Sequence, residues 1–179
     1  MKNLSYPLTK NPFLSDDLRE GIKVLKSKQL TLSNKTKEIE NYFGKKFKIK
    51  YSTMVNSGSS ANLLMIASLF YLKDQSKRLN RGDEIVVPAV SWSTSYSPLY
   101  QYGLKIKFVD IDLETLNYDL EKLKDAISDK TKVILAVNLL GNPNNFKIIK
   151  NMIHSKEIIV IEDNCESLGA EFENKKTGT

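Results

Sequence analysis

Ile158-Ile159-Val160-Ile161-Glu162-Asp163-Asn164-Cys165-Glu166 is a run of four β-branched residues that ends abruptly in two carboxylates. A half-buried strand alternates apolar and polar side chains, because successive residues point to opposite faces. Residues 158–161 do not alternate, and neither does Ile85-Val86-Val87. Both therefore read as strands covered on both faces, the habit of parallel sheets. The intervening chain alternates in type. Strands are expected at Tyr51 to Val55, Glu84 to Val87, Lys105 to Asp110 and Lys132 to Val137. Helices are expected at Ser59 to Leu72, Ser95 to Tyr102, Leu120 to Ile127 and Asn145 to His154. Strands separated by helices at this spacing build right-handed βαβ units. The expected fold is α/β, a mostly parallel sheet with helices on both faces.

Two helices open the chain and occupy residues 1–47 of the expected organisation, with the sheet portion over 48–179. Ser15 is placed to cap the first, with Asp16 and Asp17 in the turn where the helix dipole favours anions. Leu18, Ile22 and Leu25 recur at helical spacing. Ser33 is placed to cap the second helix, and Gly44 to stop it after Ile39, Tyr42 and Phe43. No internal repeat or low-complexity linker interrupts the 179 residues.

Composition excludes several chemistries. One histidine and one cysteine argue against a zinc site or a Ser-His-Asp hydrolase. The single Cys165 cannot form an internal disulfide and fits a reducing cytoplasm. The longest apolar run, Leu63 to Leu72, is interrupted by Ser68 and falls short of the roughly 18 residues of a membrane span. Met1 to Pro7 has no apolar core of a secretory signal. The net charge of +6 comes from lysines spread along the chain, a solvated surface rather than a nucleic-acid module.

In parallel sheets, sites form beyond the carboxyl ends of the strands, and three such junctions carry suggestive residues. Val55-Asn56-Ser57-Gly58-Ser59-Ser60-Ala61 runs from an expected strand through small residues into a helix. It reads either as an anion pocket of backbone N–H groups and the Ser59 and Ser60 hydroxyls, or as a plain serine cap. No Gly-Lys-Ser/Thr follows, so it is not a Walker A loop. Pro88-Ala89-Val90-Ser91-Trp92 places the only tryptophan after a buried strand, as a ring stacker or as core. Asp163 ends the third junction, either as a carboxylate awaiting a cationic partner or as a cap or surface ion pair. Cys165 reads as structural and His154 as a surface residue.

Together these junctions supply a phosphate cradle, a stacking face and a partner for a pyridinium nitrogen. With them the chain resembles the DegT/StrS-type sugar aminotransferases, fold-type I enzymes dependent on pyridoxal 5'-phosphate (PLP). The resemblance runs from about Leu18 to Thr179. It is carried by residues 56–61, by Gly82-Asp83-Glu84-Ile85-Val86-Val87-Pro88-Ala89 and by Phe108-Val109-Asp110-Ile111-Asp112. Leu140-Gly141-Asn142-Pro143, Ile161-Glu162-Asp163, Leu168-Gly169-Ala170 and Thr177-Gly178-Thr179 complete it. It implies that Gly58, Ser59 and Ser60 bind the cofactor phosphate, that Trp92 stacks on its ring and that Asp163 meets its nitrogen. Glu166 falls where the family usually has glutamine or histidine near the ring hydroxyl. The resemblance departs at Leu30-Thr31-Leu32-Ser33, which lacks the usual Gly-Pro. It places the cofactor-bonding lysine beyond Thr179, so no catalytic residue is nominated here and the expected domain is incomplete.

The first functional reading is an aminotransferase acting on a nucleotide-linked keto sugar with an amino donor, as a homodimer. The second, within the same family, is a nucleotide-sugar 3-dehydratase, which carries histidine at the lysine position. Glu166 and Leu139-Leu140-Gly141-Asn142-Pro143 are similar to that branch. The remaining readings are an inactive truncated fragment and a phosphate-binding module without chemistry.

Overall fold

Ile85, Val87, Val133 and Leu135 pack into one apolar cluster, while Val86 and Ile134, their immediate neighbours, pack into another. Consecutive residues of one strand can only do this when both faces of the sheet are covered, as the absence of alternation predicts. The computed structural model describes residues 13–179. The reading of Met1 to Pro7 lies outside the described residues. The chain falls into two units, one ending at Met54 and one spanning Val55–Thr179.

In the first unit, α1 spans Ser15–Ser27 and α2 spans Asn34–Phe47. Leu14, not Ser15, is the N-cap residue of α1, and its backbone N–H donates to Asp17 Oδ2 at 2.8 Å. A carboxylate in the first turn thus replaces the expected serine cap. Gly44 does not stop α2, which continues to Phe47 and ends at Lys48 in the left-handed region (φ 55°). The Gly44 carbonyl accepts from Ile49 N–H at 3.0 Å. A Cβ on Gly44 would lie 3.3 Å from Ile49 O, so glycine lets the chain fold back over the helix end. Tyr51 to Val55 forms no strand. Its β-branched and aromatic character is a propensity that counts only with a ladder partner, and no strand pairs with it among the described residues.

The second unit opens with α3 (Gly58–Phe70) and continues with β1 (Glu84–Pro88), α4 (Ser93–Gln101), β2 (Lys105–Val109) and α5 (Leu120–Ala126). β3 (Thr131–Val137), α6 (Phe146–Ile153) and β4 (Ile159–Asp163) follow, and a small hairpin of β5 (Glu171–Phe172) and β6 (Lys175–Lys176) ends it. The main sheet has the order β2-β1-β3-β4, and all its pairings are parallel. Ile66 and Leu69 of α3 and Leu99 of α4 cover one face. Leu123 and Ala126 of α5, with Ile149 and Ile153 of α6, cover the other. Tyr118 belongs to this second cluster, and its hydroxyl donates to Leu135 O at 2.6 Å, tying the β2–α5 connection to β3. Burial pushes that phenol well above the ordinary tyrosine range, so it stays a neutral donor. No described helix is long and apolar enough to cross a membrane.

Candidate functional site

The strand order determines where a cleft can open. β1 is followed by α4 and β2 on one side, and β3 by α6 and β4 on the other. The connections therefore diverge between β1 and β3, and the crevice at such a point lies beyond the carboxyl ends of the strands. A cleft of about 400 Å³ occurs there. Its walls come from the start of α3 (Gly58, Ser59, Asn62) and from the β1–α4 junction (Val90 to Trp92, Thr94, Ser95). Val137 to Leu139 after β3, and Asp163, Cys165 and Glu166 after β4, complete it. Five of the six residues expected at a site, Gly58, Ser59, Trp92, Asp163 and Glu166, share this cleft. Ser60 is not among the residues that line it.

The reason lies in how α3 begins. Ser57 is its N-cap, with Oγ accepting from Ser60 N–H at 3.2 Å and donating to Ser60 Oγ at 3.2 Å. Ala61 N–H goes to Ser57 O at 3.0 Å. Of the four orphan donors at a helix start, those of Gly58 and Ser59 remain without a protein acceptor among the described residues. Ser57 and Ser60 make the serine cap, while Gly58 and Ser59 line the cleft with N–H groups that no described residue accepts. A helix start with open donors favours an anion.

The two carboxylates that end β4 separate, because neighbouring strand residues face opposite ways. Glu162 accepts from Gly178 N–H at 2.8 Å, away from the cleft lining. Asp163 faces the cleft and is half-buried. Its Oδ2 accepts from Asn62 Nδ2 at 2.9 Å and Ser95 Oγ at 3.1 Å, and its Oδ1 from Cys165 N–H at 3.1 Å. All three donors are neutral, and no lysine, arginine or histidine pairs with Asp163 among the described residues.

Trp92 is the N-cap residue of α4 and is 75% exposed. It is not a core residue, which removes the core alternative. Cys165, expected to be structural, is exposed in the cleft wall, with Sγ 3.7 Å from where a Cβ on Gly58 would sit. His154 is exposed, with Nδ1 3.1 Å from Asn151 O.

The far wall is a polar turn that the sequence reading did not place in the site. Asn138, 1% exposed, accepts through Oδ1 from Asn144 N–H at 2.9 Å and donates through Nδ2 to Asn164 Oδ1 at 2.8 Å. This buried amide ties the end of β3 to the end of β4, and leaving either side unmatched would be costly. Beyond it Leu140 has φ 52° and Gly141 φ 85°. A left-handed leucine is strained, and Glu166 holds it by accepting the Leu140 N–H. Asn138 follows a strand directly, so the strand-end rule could have flagged it. Asn62 and Ser95 lie inside helices, where that rule does not look.

Comparison with known proteins gives a consistent result. Residues 14–179 match the DegT/DnrJ/EryC1/StrS aminotransferase family. The GDP-4-keto-6-deoxy-D-mannose 3-dehydratase of Escherichia coli O55:H7 is 55% identical over 176 residues, 98% of this chain and 45% of that protein. The enzyme of the same name from Yersinia pseudotuberculosis is 51% identical over 176 residues, 98% of this chain and 44% of its own length. The solved E. coli 3-dehydratase with bound hydrated PLP superposes with a TM-score of 0.93, covering 98% of this chain and 44% of that one. A relative named as an aminotransferase, the UDP-4-amino-4-deoxy-L-arabinose–oxoglutarate enzyme of Shewanella sediminis, is more distant at 26% identity. The chain spans about half the length of the curated relatives it matches.

Proposed function

This chain belongs to the DegT/DnrJ/EryC1/StrS aminotransferase family, and from that premise we propose that it carries the PLP seat of a GDP-4-keto-6-deoxy-sugar 3-dehydratase. The observation that carries the reading is 55% identity over 98% of the chain to a 3-dehydratase, against 26% to an aminotransferase. The order of the two family readings is thereby reversed: sugar 3-dehydration comes first and sugar transamination second. The likeness of Glu166 and residues 139–143 to the dehydratase branch supports the same choice.

The cleft suits PLP in three respects. Gly58 and Ser59 present open N–H groups at a helix start, which suit a phosphate. The exposed Trp92 offers an aromatic face. Asp163 is bonded only by neutral donors, which suits a protonated ring nitrogen. Ser60 supports the phosphate seat indirectly through the Ser57 cap. Glu166 keeps the turn at Leu140 in place while facing the cleft. When bound, PLP supplies an electron-poor ring that stabilises negative charge developing beside it. The protein's share is to anchor the phosphate, orient the ring and keep a carboxylate opposite its nitrogen. A GDP-linked keto sugar, an amino donor, a homodimer and a cytoplasmic setting belong to the same proposal.

Product analysis separates the two chemistries. The full-length protein that contains this chain, PLP, glutamate and GDP-4-keto-6-deoxymannose are incubated, and the sugar is examined by mass spectrometry and NMR. We expect loss of the C3 hydroxyl without nitrogen on the ring. An amino sugar that retains its C3 hydroxyl would restore the aminotransferase reading.

A further inference from the structure

Asn62 interrupts an otherwise apolar stretch of α3 from Ala61 to Ala67, where asparagine is a poor helix former. Its amide nitrogen has two partners from elsewhere in the chain, Asp163 Oδ2 at 2.9 Å and Thr94 O at 3.4 Å. Both are acceptors only, so the nitrogen of the amide, not its oxygen, must face them. Thr94 O is available because Pro98, four residues on within α4, has no N–H to return to it. Asn62 thus joins a carbonyl released by a proline in one helix to a carboxylate at the end of a strand.

Ser95 reaches the same oxygen from α4. It is 2% exposed, receives a hydrogen bond from Ser91 Oγ at 3.2 Å and passes its own proton to Asp163 Oδ2 at 3.1 Å. Two helices, 101 and 68 residues away in sequence, therefore converge on one carboxylate oxygen. With Oδ2 taken by two donors, Oδ1 receives only the Cys165 N–H. It is the oxygen with acceptor capacity left for a ligand.

We propose that Asn62 and Ser95 are positioning residues that hold Asp163 by Oδ2 so that Oδ1 meets the ring nitrogen of the cofactor. The inference rests on the PLP reading of the cleft. The competing explanation is that both side chains only fasten α3 and α4 to β4. The two differ in their dependence on the ring nitrogen. A fastening role affects any ligand of the same shape, whereas a positioning role acts only on a ligand that has the nitrogen.

The test compares the affinity of the protein for PLP and for its carbocyclic analogue, in which the ring nitrogen is replaced by C–H. Wild type should prefer PLP. Asn62→Leu, which keeps the side-chain shape without the donor, should cut that preference about tenfold, the scale of one hydrogen bond to a charged group. Analogue binding should stay unchanged. Ser95→Ala should act in the same direction, and Asn62→Gln should restore part of the preference. Equal losses on both ligands, or an unchanged ratio in both Asn62→Leu and Ser95→Ala, would overturn the positioning role. A wild type that does not distinguish the two ligands would instead refute the PLP reading itself.

Discussion

Asp163→Asn is expected to cost about 3–5 kcal/mol of stabilisation where one partner of a charge pair is removed, roughly two to four orders of magnitude in turnover. The substitution retains shape and leaves an oxygen for Asn62 Nδ2, so the fold should survive. What it removes is the negative charge opposite the ring nitrogen, on which the electron-poor state of the cofactor depends. The three donors around Asp163 are neutral, so no other group in contact with it can take over that charge. Steady-state turnover of purified variants of the full-length enzyme gives the answer, with circular dichroism to verify folding. Near wild-type turnover in Asp163→Asn would detach this residue from the ring nitrogen.

Trp92→Ala is expected to weaken PLP binding by about 1–3 kcal/mol, in the range measured for stacking of flat rings on aromatic side chains. Trp92→Phe should retain most of the affinity. Because Trp92 is 75% exposed, neither variant should shift the urea midpoint appreciably, as surface substitutions usually stay within about 0.5 kcal/mol. The two observables together are decisive. A destabilised Trp92→Ala protein with unchanged PLP affinity would make the tryptophan a packing residue after all.

The parallel sheet was legible because burial on both faces leaves a direct mark on the sequence. Ile85-Val86-Val87 is buried throughout within β1, whereas the strand expected at 158–161 runs over Ile159–Asp163 at the sheet edge, where only Ile161 is buried and the residues before it are half-buried. Tyr51 to Val55 carries equally strand-like residues yet pairs with nothing among the described residues, since propensity does not supply a partner. Gly44 misled because a glycine can serve close approach as well as termination. In the cleft, Trp92 and Asp163 were readable from the strand ends, Gly58 and Ser59 from the small-residue helix start although no described strand precedes it, and Glu166 from the family resemblance; all five line the cleft. Ser60 was assigned to the wall because a run of serines does not reveal which one caps the helix. Asn62 and Ser95 stayed hidden because their importance comes from convergence on Asp163, set by how α3 and α4 pack. Asn138 was within reach, since it directly follows β3, but a single polar residue there gives no hint of its buried network.

The most direct test of the account is a crystal structure of the protein with PLP. We predict the phosphate on the Gly58 and Ser59 N–H groups, the ring against Trp92 and its nitrogen within hydrogen-bonding distance of Asp163 Oδ1. PLP bound outside the cleft between β1 and β3, or seated there with its nitrogen turned away from Asp163, would contradict it.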